Sequence, residues 1–142
     1  MNKELACWVA VSAIGGVGTV TFGYLRKSFK TLKKFWEASD SEISKLKIDA
    51  KTKLSIVDFR SKVDPNIYLA KVYAAGIKVV SMVEDEYPAN LRQITGCPPV
   101  LYYKGTILPG DDLAVAVVGS RNATPYGRQV TERLVFDLAK NG

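Results

Sequence analysis

The spacing of apolar and polar residues predicts two kinds of structure along this chain. Up to residue 62, apolar residues recur every three or four positions, as they do in helices with one buried face. From residue 63 onward, β-branched runs alternate with helical segments, which is typical of an α/β arrangement. The sequence therefore predicts a helical domain at 1–62 and the first part of an α/β domain at 63–142.

The helical domain is predicted to begin with two helices, at 2–14 and 19–29, joined by the glycine-rich turn "IGGVG". Phe22, Leu25, Phe29, Leu32 and Trp36 form one apolar stripe that we expect to be buried. Further helices are expected after the capping sequence "SDSE" and over 49–62. The glycine turn is compatible with a plain αα-turn or with a helix-hairpin-helix, in which backbone N–H groups surround a DNA phosphate.

Residues 5–25 carry no charged side chain and precede Arg26 and Lys27, a pattern that a membrane span also shows. Four glycines interrupt this stretch, and Glu4 offsets Lys3 in what would be the basic leader of a signal peptide. Two short helices of a soluble protein explain the stretch better. We therefore expect no membrane partner and a cytoplasmic location.

In the second domain, Asp64 and Pro65 are expected to start a helix that Gly76 closes. Strands are predicted at 77–83 and 98–105, with a short helix at 87–94 between them and a loop at 108–112. The apolar run 114–118 is predicted to be the central strand of a parallel sheet. A last helix should follow from Thr124 to Gly142, with an apolar face formed by Val130, Leu134 and Leu138. One such strand–helix unit has no sheet to join, so we expect the domain to continue beyond the chain.

Composition narrows the possible functions. Residues 1–62 contain twelve lysines and arginines against six acidic residues, whereas residues 63–142 contain eight of each, so the net charge of +6 belongs to the first domain. This bias is typical of a partner with many negative charges, although a solvated basic helix shows it too. The chain contains no histidine, which excludes histidine-based catalysis and metal ligation within it. Cys7 and Cys97 form no disulfide or metal motif, and a reducing compartment suits them best.

The sequence "AVAVVGSRNATPYGRQ" at 114–129 has the chemistry of a phosphate site. Backbone amides and the dipole of the following helix would point at the turn formed by Gly119, Ser120 and Arg121. A guanidinium in that turn adds a planar fork that matches two phosphate oxygens. Taken alone, the same pattern is also compatible with an ordinary strand-to-helix turn in which Arg121 pairs with a carboxylate.

The run "GSRNATPYG" at 119–127, together with "YPANL" at 87–91 and "CPPVLYYKG" at 97–105, closely resembles the DNA-processing protein A family (DprA, also called Smf). The segment "WVAVSAIGGVG" at 8–18 also looks like the helix-hairpin-helix or SAM-like N-terminal domain of that family. The resemblance implies a Rossmann-like core that binds single-stranded DNA, without catalysis or a cofactor. It further implies a homodimer that passes incoming DNA to the RecA recombinase during natural transformation (competence).

Carried over to this chain, the resemblance assigns the phosphate-contacting turn to Gly119, Ser120 and Arg121. Thr124, Tyr126 and Gly127 match the flank that keeps its shape, and Tyr126 is equally compatible with packing and with stacking on a base. Lys104 is expected to be a solvated surface residue.

Two other functions are compatible with parts of the sequence. A Rossmann-like nucleotide-processing enzyme, such as a phosphoribohydrolase, also places a phosphate on a glycine turn, but it needs catalytic Glu and Arg residues further along its chain. A membrane-associated adaptor would use the N-terminal helices instead.

Overall fold

The computed structural model describes residues 2–141 of the chain, apart from the side chain of Asp112. It has two compact units, Met1–Pro109 and Gly110–Gly142. The first unit, unit 1, contains α1 (Lys3–Ser12), α2 (Thr19–Phe29), α3 (Leu32–Glu37), α4 (Asp40–Ser44), α5 (Ala50–Lys62), α6 (Pro65–Ala74), β1 (Lys78–Ser81), α7 (Ala89–Arg92) and β2 (Val100–Tyr103). The second, unit 2, contains α8 (Pro125–Lys140). A 3-10 turn at Pro109–Leu113 begins at the last residue of unit 1 and continues into unit 2.

The core of unit 1 is built around α1. Every side chain from Leu5 to Val11 is buried, so this helix is apolar on all sides rather than on one face. Helices α3 and α6 and both strands pack against it. The ring of Trp8 lies 5.1 Å from that of Phe22, which brings α2 onto the same core. The uncharged stretch at 5–25 is thus mostly the interior of a helical unit, and no helix in the described part of the chain is long and apolar enough to cross a membrane.

Polar side chains fix the helix ends where the sequence predicts them. Ser39 and Glu42 form a reciprocal capping box at the start of α4. Asp49 caps α5, and Asp64 caps α6 ahead of Pro65 at its first position. Gly76 follows α6 with a φ of 69°, the left-handed conformation expected of a residue that closes a helix.

The predicted apolar stripe is split between two helices. Lys30 ends α2, and α3 begins two residues later. Phe22, Leu25 and Leu32 are fully buried, as predicted, whereas Phe29 and Trp36 are only partly buried against the core.

The glycine turn between α1 and α2 has a packing reason of its own. Gly16 has a φ of 87°, and a Cβ atom on it would lie 2.6 Å from Oγ1 of Thr52. Thr52 is buried in α5, so the turn approaches that helix too closely for any side chain at this position. This contact supports the αα-turn interpretation for Gly16; the helix-hairpin-helix interpretation stays a prediction.

The two strands β1 and β2 lie where the sequence predicts strands, and they pair antiparallel with Lys78 opposite Tyr103. The described residues therefore combine helices with a small antiparallel sheet, which is compatible with the predicted mixture of helix and strand. The predicted strand at 114–118 is wrong in this structure, because these residues form no strand and Val115 and Val118 are exposed. A strand needs a partner for its backbone N–H and C=O groups, and residues 110–141 provide none.

The break between α5 and α6 falls at residues 63–64, at the predicted domain boundary. The compact units nevertheless divide after Pro109, because α6 packs against α1 and joins residues 65–74 to the helical core. The assignment of 1–62 and 63–142 as separate domains stays a prediction.

Candidate nucleic-acid interface

The turn at 119–124 leads directly into α8, the longest helix in the described part of the chain. Thr124 is its N-cap, and its Oγ1 accepts a hydrogen bond of 3.1 Å from the backbone N–H of Gly127. Pro125 occupies the first helical position, as predicted. A Cβ on Gly127 would lie 3.3 Å from the Thr124 hydroxyl, so the glycine leaves room for the cap. Thr124 and Gly127 thus hold the start of α8 together.

Within the turn, the Oγ of Ser120 accepts a hydrogen bond of 3.2 Å from the N–H of Asn122. This bond is local and folds the chain back at residues 120–122. A Cβ on Gly119 would meet nothing within 4 Å, so no neighbour in the structure requires glycine there. A glycine at position 119 would instead be required if a ligand approached the backbone there closely, since glycine has no side chain in the way.

The cationic and aromatic side chains of this region are exposed. Arg121 lies on the surface of the turn, and the side chain of Tyr126 is 76% exposed on the first turn of α8. Tyr126 is therefore not a core residue of unit 2. Its ring is available for stacking, whereas burial would have removed it from any ligand.

A shallow depression of about 320 Å³ lies beside the turn. Gly119 and Ser120 line it together with Arg128 and Glu132 of α8, whereas Arg121, Thr124 and Tyr126 do not. The structure thus brings two of the three turn residues, Gly119 and Ser120, to one concave surface, and Arg121 is not part of it. Arg128 was not predicted from the sequence as part of the site. Its position, four residues after the Thr124 cap, predicts that it lies on the same face of α8 as Thr124.

The upstream segments that carry the family resemblance contact one another in unit 1. Tyr87 is buried, and its hydroxyl donates a hydrogen bond of 2.8 Å to the carbonyl oxygen of Pro98 and lies 3.1 Å from Sγ of Cys97. Burial and the bond to Cys97 raise the pKa of Tyr87 above its ordinary value. Arg92 donates to the carbonyl oxygens of Glu84 and Tyr87. These segments hold a loop in place, and Lys104 is exposed, as expected.

Comparison with known proteins agrees with these motifs. Residues 78–142 match the family model of DNA recombination-mediator protein A. Residues 78–142, the part of the chain that this model matches, thus resemble the DprA/Smf family. A curated relative, protein Smf of Synechocystis sp. (strain ATCC 27184 / PCC 6803 / Kazusa), is 29% identical over 146 residues, covering 99% of this chain and 37% of its own length. The DNA processing protein DprA of Bacillus subtilis (strain 168) is 33% identical over 75 residues, covering 52% of this chain and 25% of its own length.

This chain therefore spans only about a third or a quarter of the length of the DprA/Smf relatives it matches. No solved structure matches it significantly. The family model begins at β1 and extends through α8, so it contains the turn and all six predicted site residues: Gly119, Ser120, Arg121, Thr124, Tyr126 and Gly127.

Proposed function

We propose that this chain is part of a single-stranded-DNA-binding protein that mediates recombination, and that the turn at 119–124 contacts the DNA backbone. The observation that supports the proposal is an exposed turn with an arginine, placed directly before a capped helix of 16 residues. The match of residues 78–142 to the family model of DNA recombination mediators supports DNA as the anion.

The chemistry of the turn favours a phosphate over a base. The N-terminal end of α8 carries partial positive charge, and Arg121 adds a full charge beside it. Because a guanidinium grips phosphate oxygens in pairs and reaches no base edge from this turn, binding should depend little on DNA sequence. Arg128, four residues beyond the cap, offers a second cation to the next phosphate.

The remaining parts of the proposal follow from the family. They comprise a Rossmann-like core for 63–142, a helix-hairpin-helix or SAM-like domain for 1–62, and a cytoplasmic homodimer without catalysis or cofactor. The protein would hold incoming DNA during natural transformation and pass it to the RecA recombinase.

The test is Arg121→Ala in the full-length protein, with fluorescence anisotropy of a labelled oligo(dT) measured over a salt series. Loss of a hydrogen bond to a charged group should cost about 1.5–3 kcal/mol of binding free energy. The slope of log affinity against log salt should fall by about 0.7, the share of one phosphate. Arg121→Lys should restore part of the affinity, because a point charge cannot form the paired contact.

Arg133→Ala is the matched control, since it also removes one exposed arginine, but from within α8, nine residues beyond the Thr124 cap. Unchanged affinity and salt slope in a folded Arg121→Ala protein would contradict the assignment. Equal losses in both variants would show a general charge effect instead.

A further inference from the structure

Unit 1 contains a groove, here called the α2 groove. It has a volume of about 670 Å³ and lies between one side of α2 and the segment 92–99. Phe22 and Met82 contribute apolar surface to its lining. All residues that line the groove lie within residues 19–99 of unit 1.

The charged side chains that line the α2 groove all have the same sign. Arg26, Lys27 and Lys30 come from α2 and its C-cap, and Arg92 comes from the end of α7. No acidic residue lines the groove in the described part of the chain. Four cations around one concavity, without a carboxylate to neutralise them, create a local positive potential that attracts an anion.

Two of these cations are held in place by contacts within the protein. The guanidinium of Arg26 lies over the ring of Trp8, 5.1 Å from its centroid. Arg92 donates a hydrogen bond of 2.7 Å to the carbonyl oxygen of Glu84. Neither contact involves a negatively charged side chain, so both guanidinium groups still attract an anion. Because they are already held in place, they lose little conformational entropy when an anion binds.

Lys30 supplies an independent observation. It is the only non-glycine residue with a positive φ in the described part of the chain, with φ 65° and ψ −39°. An L-residue with a side chain pays a conformational penalty there, and glycine would be the ordinary choice. Such strain is concentrated at binding sites. Lysine in this conformation places a charge at the groove where glycine would place none.

We propose that the α2 groove binds the phosphodiester backbone of a single nucleic-acid strand. Its cations would contact successive phosphates, and the apolar surface of Met82 would contact sugars between them. Phe22 is buried and offers no face for stacking. Contacts to phosphates carry no sequence information, so binding should be independent of sequence. The positive charge of the groove favours a polyanion as its ligand. The choice of single-stranded DNA among polyanions rests on the proposed function.

The test compares two double variants of the chain by anisotropy of labelled oligo(dT) over a salt series. Lys27→Gln with Lys30→Gln removes two exposed charges of the groove. Lys45→Gln with Lys47→Gln removes two exposed charges that do not line it. Loss of two phosphate contacts should lower the salt slope by about 1.4 and the affinity at 0.1 M salt by roughly 25-fold. The control should change affinity by less than about threefold.

Lys27→Arg with Lys30→Arg keeps both charges and should bind as the wild type does, which separates loss of charge from loss of folding. Equal losses in the two Gln variants would overturn the proposal, as would stronger binding of a poly-glutamate peptide than of oligo(dT) in the wild type. If the wild type bound a duplex as tightly as oligo(dT), and the Lys27→Gln with Lys30→Gln variant lost both affinities in parallel, the single-strand assignment would be overturned. Arg121 lies in unit 2, outside the α2 groove, so Arg121→Ala in the full-length protein tests the proposed function without changing the groove. The two proposals can therefore fail independently of each other.

Discussion

At the scale of single residues, side chains in this protein have roles that their neighbours in sequence do not indicate. Glu4, which in the sequence only offsets the charge of Lys3, lies at the start of α3. Its carboxylate accepts hydrogen bonds of 2.8 and 3.0 Å from the backbone N–H groups of Leu32 and Lys33 and one of 3.0 Å from Nε1 of Trp8. A residue 28 positions away thus shares with Thr31 the task of capping α3.

Lys30→Gly should increase the free energy of unfolding by about 1 kcal/mol, because glycine adopts a positive φ without the steric cost that lysine bears. Urea denaturation of the chain measures the change. Lys30→Ala is the control: it removes the same side chain but keeps the Cβ and should give no such increase. A glycine variant less stable than the alanine variant would show that Lys30 is not strained.

Cys7 should resist iodoacetamide at pH 8 in the native protein and react once the protein is unfolded. Burial, with a smaller effect of the Glu4 charge, raises the pKa of the Cys7 thiol from 9.0 to about 11. Mass spectrometry of the labelled peptides gives the result, with the half-buried Cys97 as internal reference. Labelling of Cys7 as fast as Cys97 under native conditions would be inconsistent with this burial.

The same thiol predicts a dependence of stability on pH. Because its pKa is higher in the folded state, the folded protein binds this proton more tightly, and its contribution is fully present below pH 9. That contribution should be lost as the pH rises through about 11. Cys7→Ala should therefore lose less stability than the wild type between pH 9 and pH 11, as measured by thermal unfolding.

At the scale of elements, the helix starts that have a local cap were predictable, whereas α3 (Leu32–Glu37) and the tertiary contacts were not. Ser39, Asp49 and Asp64 cap helices by contacts within three residues, and such contacts are visible in sequence. The long-range cap from Glu4 to α3 has no local signal. The same distinction explains unit 2, where the Thr124 cap is confirmed and the strand at 114–118 is wrong. An apolar run predicts a strand only if other strands are there to pair with it.

Glu4→Ala should lower the free energy of unfolding by about 2 kcal/mol, since it leaves two backbone N–H groups of α3 without their charged acceptor. Glu4→Gln should cost less, because its amide oxygen still accepts one bond. Glu37→Ala is the control: its contact of 3.7 Å with Lys33 is exposed, and its loss should cost less than about 0.5 kcal/mol. Similar losses for Glu4→Ala and Glu37→Ala in urea denaturation would argue against the long-range cap.

At the scale of the whole molecule, the two compact units differ in how much they bury. Unit 1 contains every buried residue in the described part of the chain, whereas all the described side chains of residues 110–141 are at least partly exposed. For the candidate site, the sequence predicted the turn, its cap and the exposed position of Lys104. It could not predict that Arg128 rather than Arg121 would line the depression, because this depends on how the turn folds back on α8.

Backbone amides of α8 should exchange with deuterium faster than those of α1 by more than about a hundredfold in this chain. A helix without a buried face gains little from tertiary packing and opens often, whereas α1 opens only with the core. Hydrogen exchange followed by mass spectrometry compares the two helices directly. Equal protection would mean that α8 is stabilised by something other than the packing described for unit 2.

The position of α1 also has a consequence for synthesis on the ribosome. This helix emerges before its packing partners, which extend to β2, about 90 residues later. At ordinary rates of translation, the apolar surface of α1 stays uncovered for about 5–20 s. We therefore expect α1 to be a binding site for chaperones that act on nascent chains. A photo-crosslinker at Trp8 should capture such a chaperone in stalled chains that end before α6. It should capture no chaperone in the released protein.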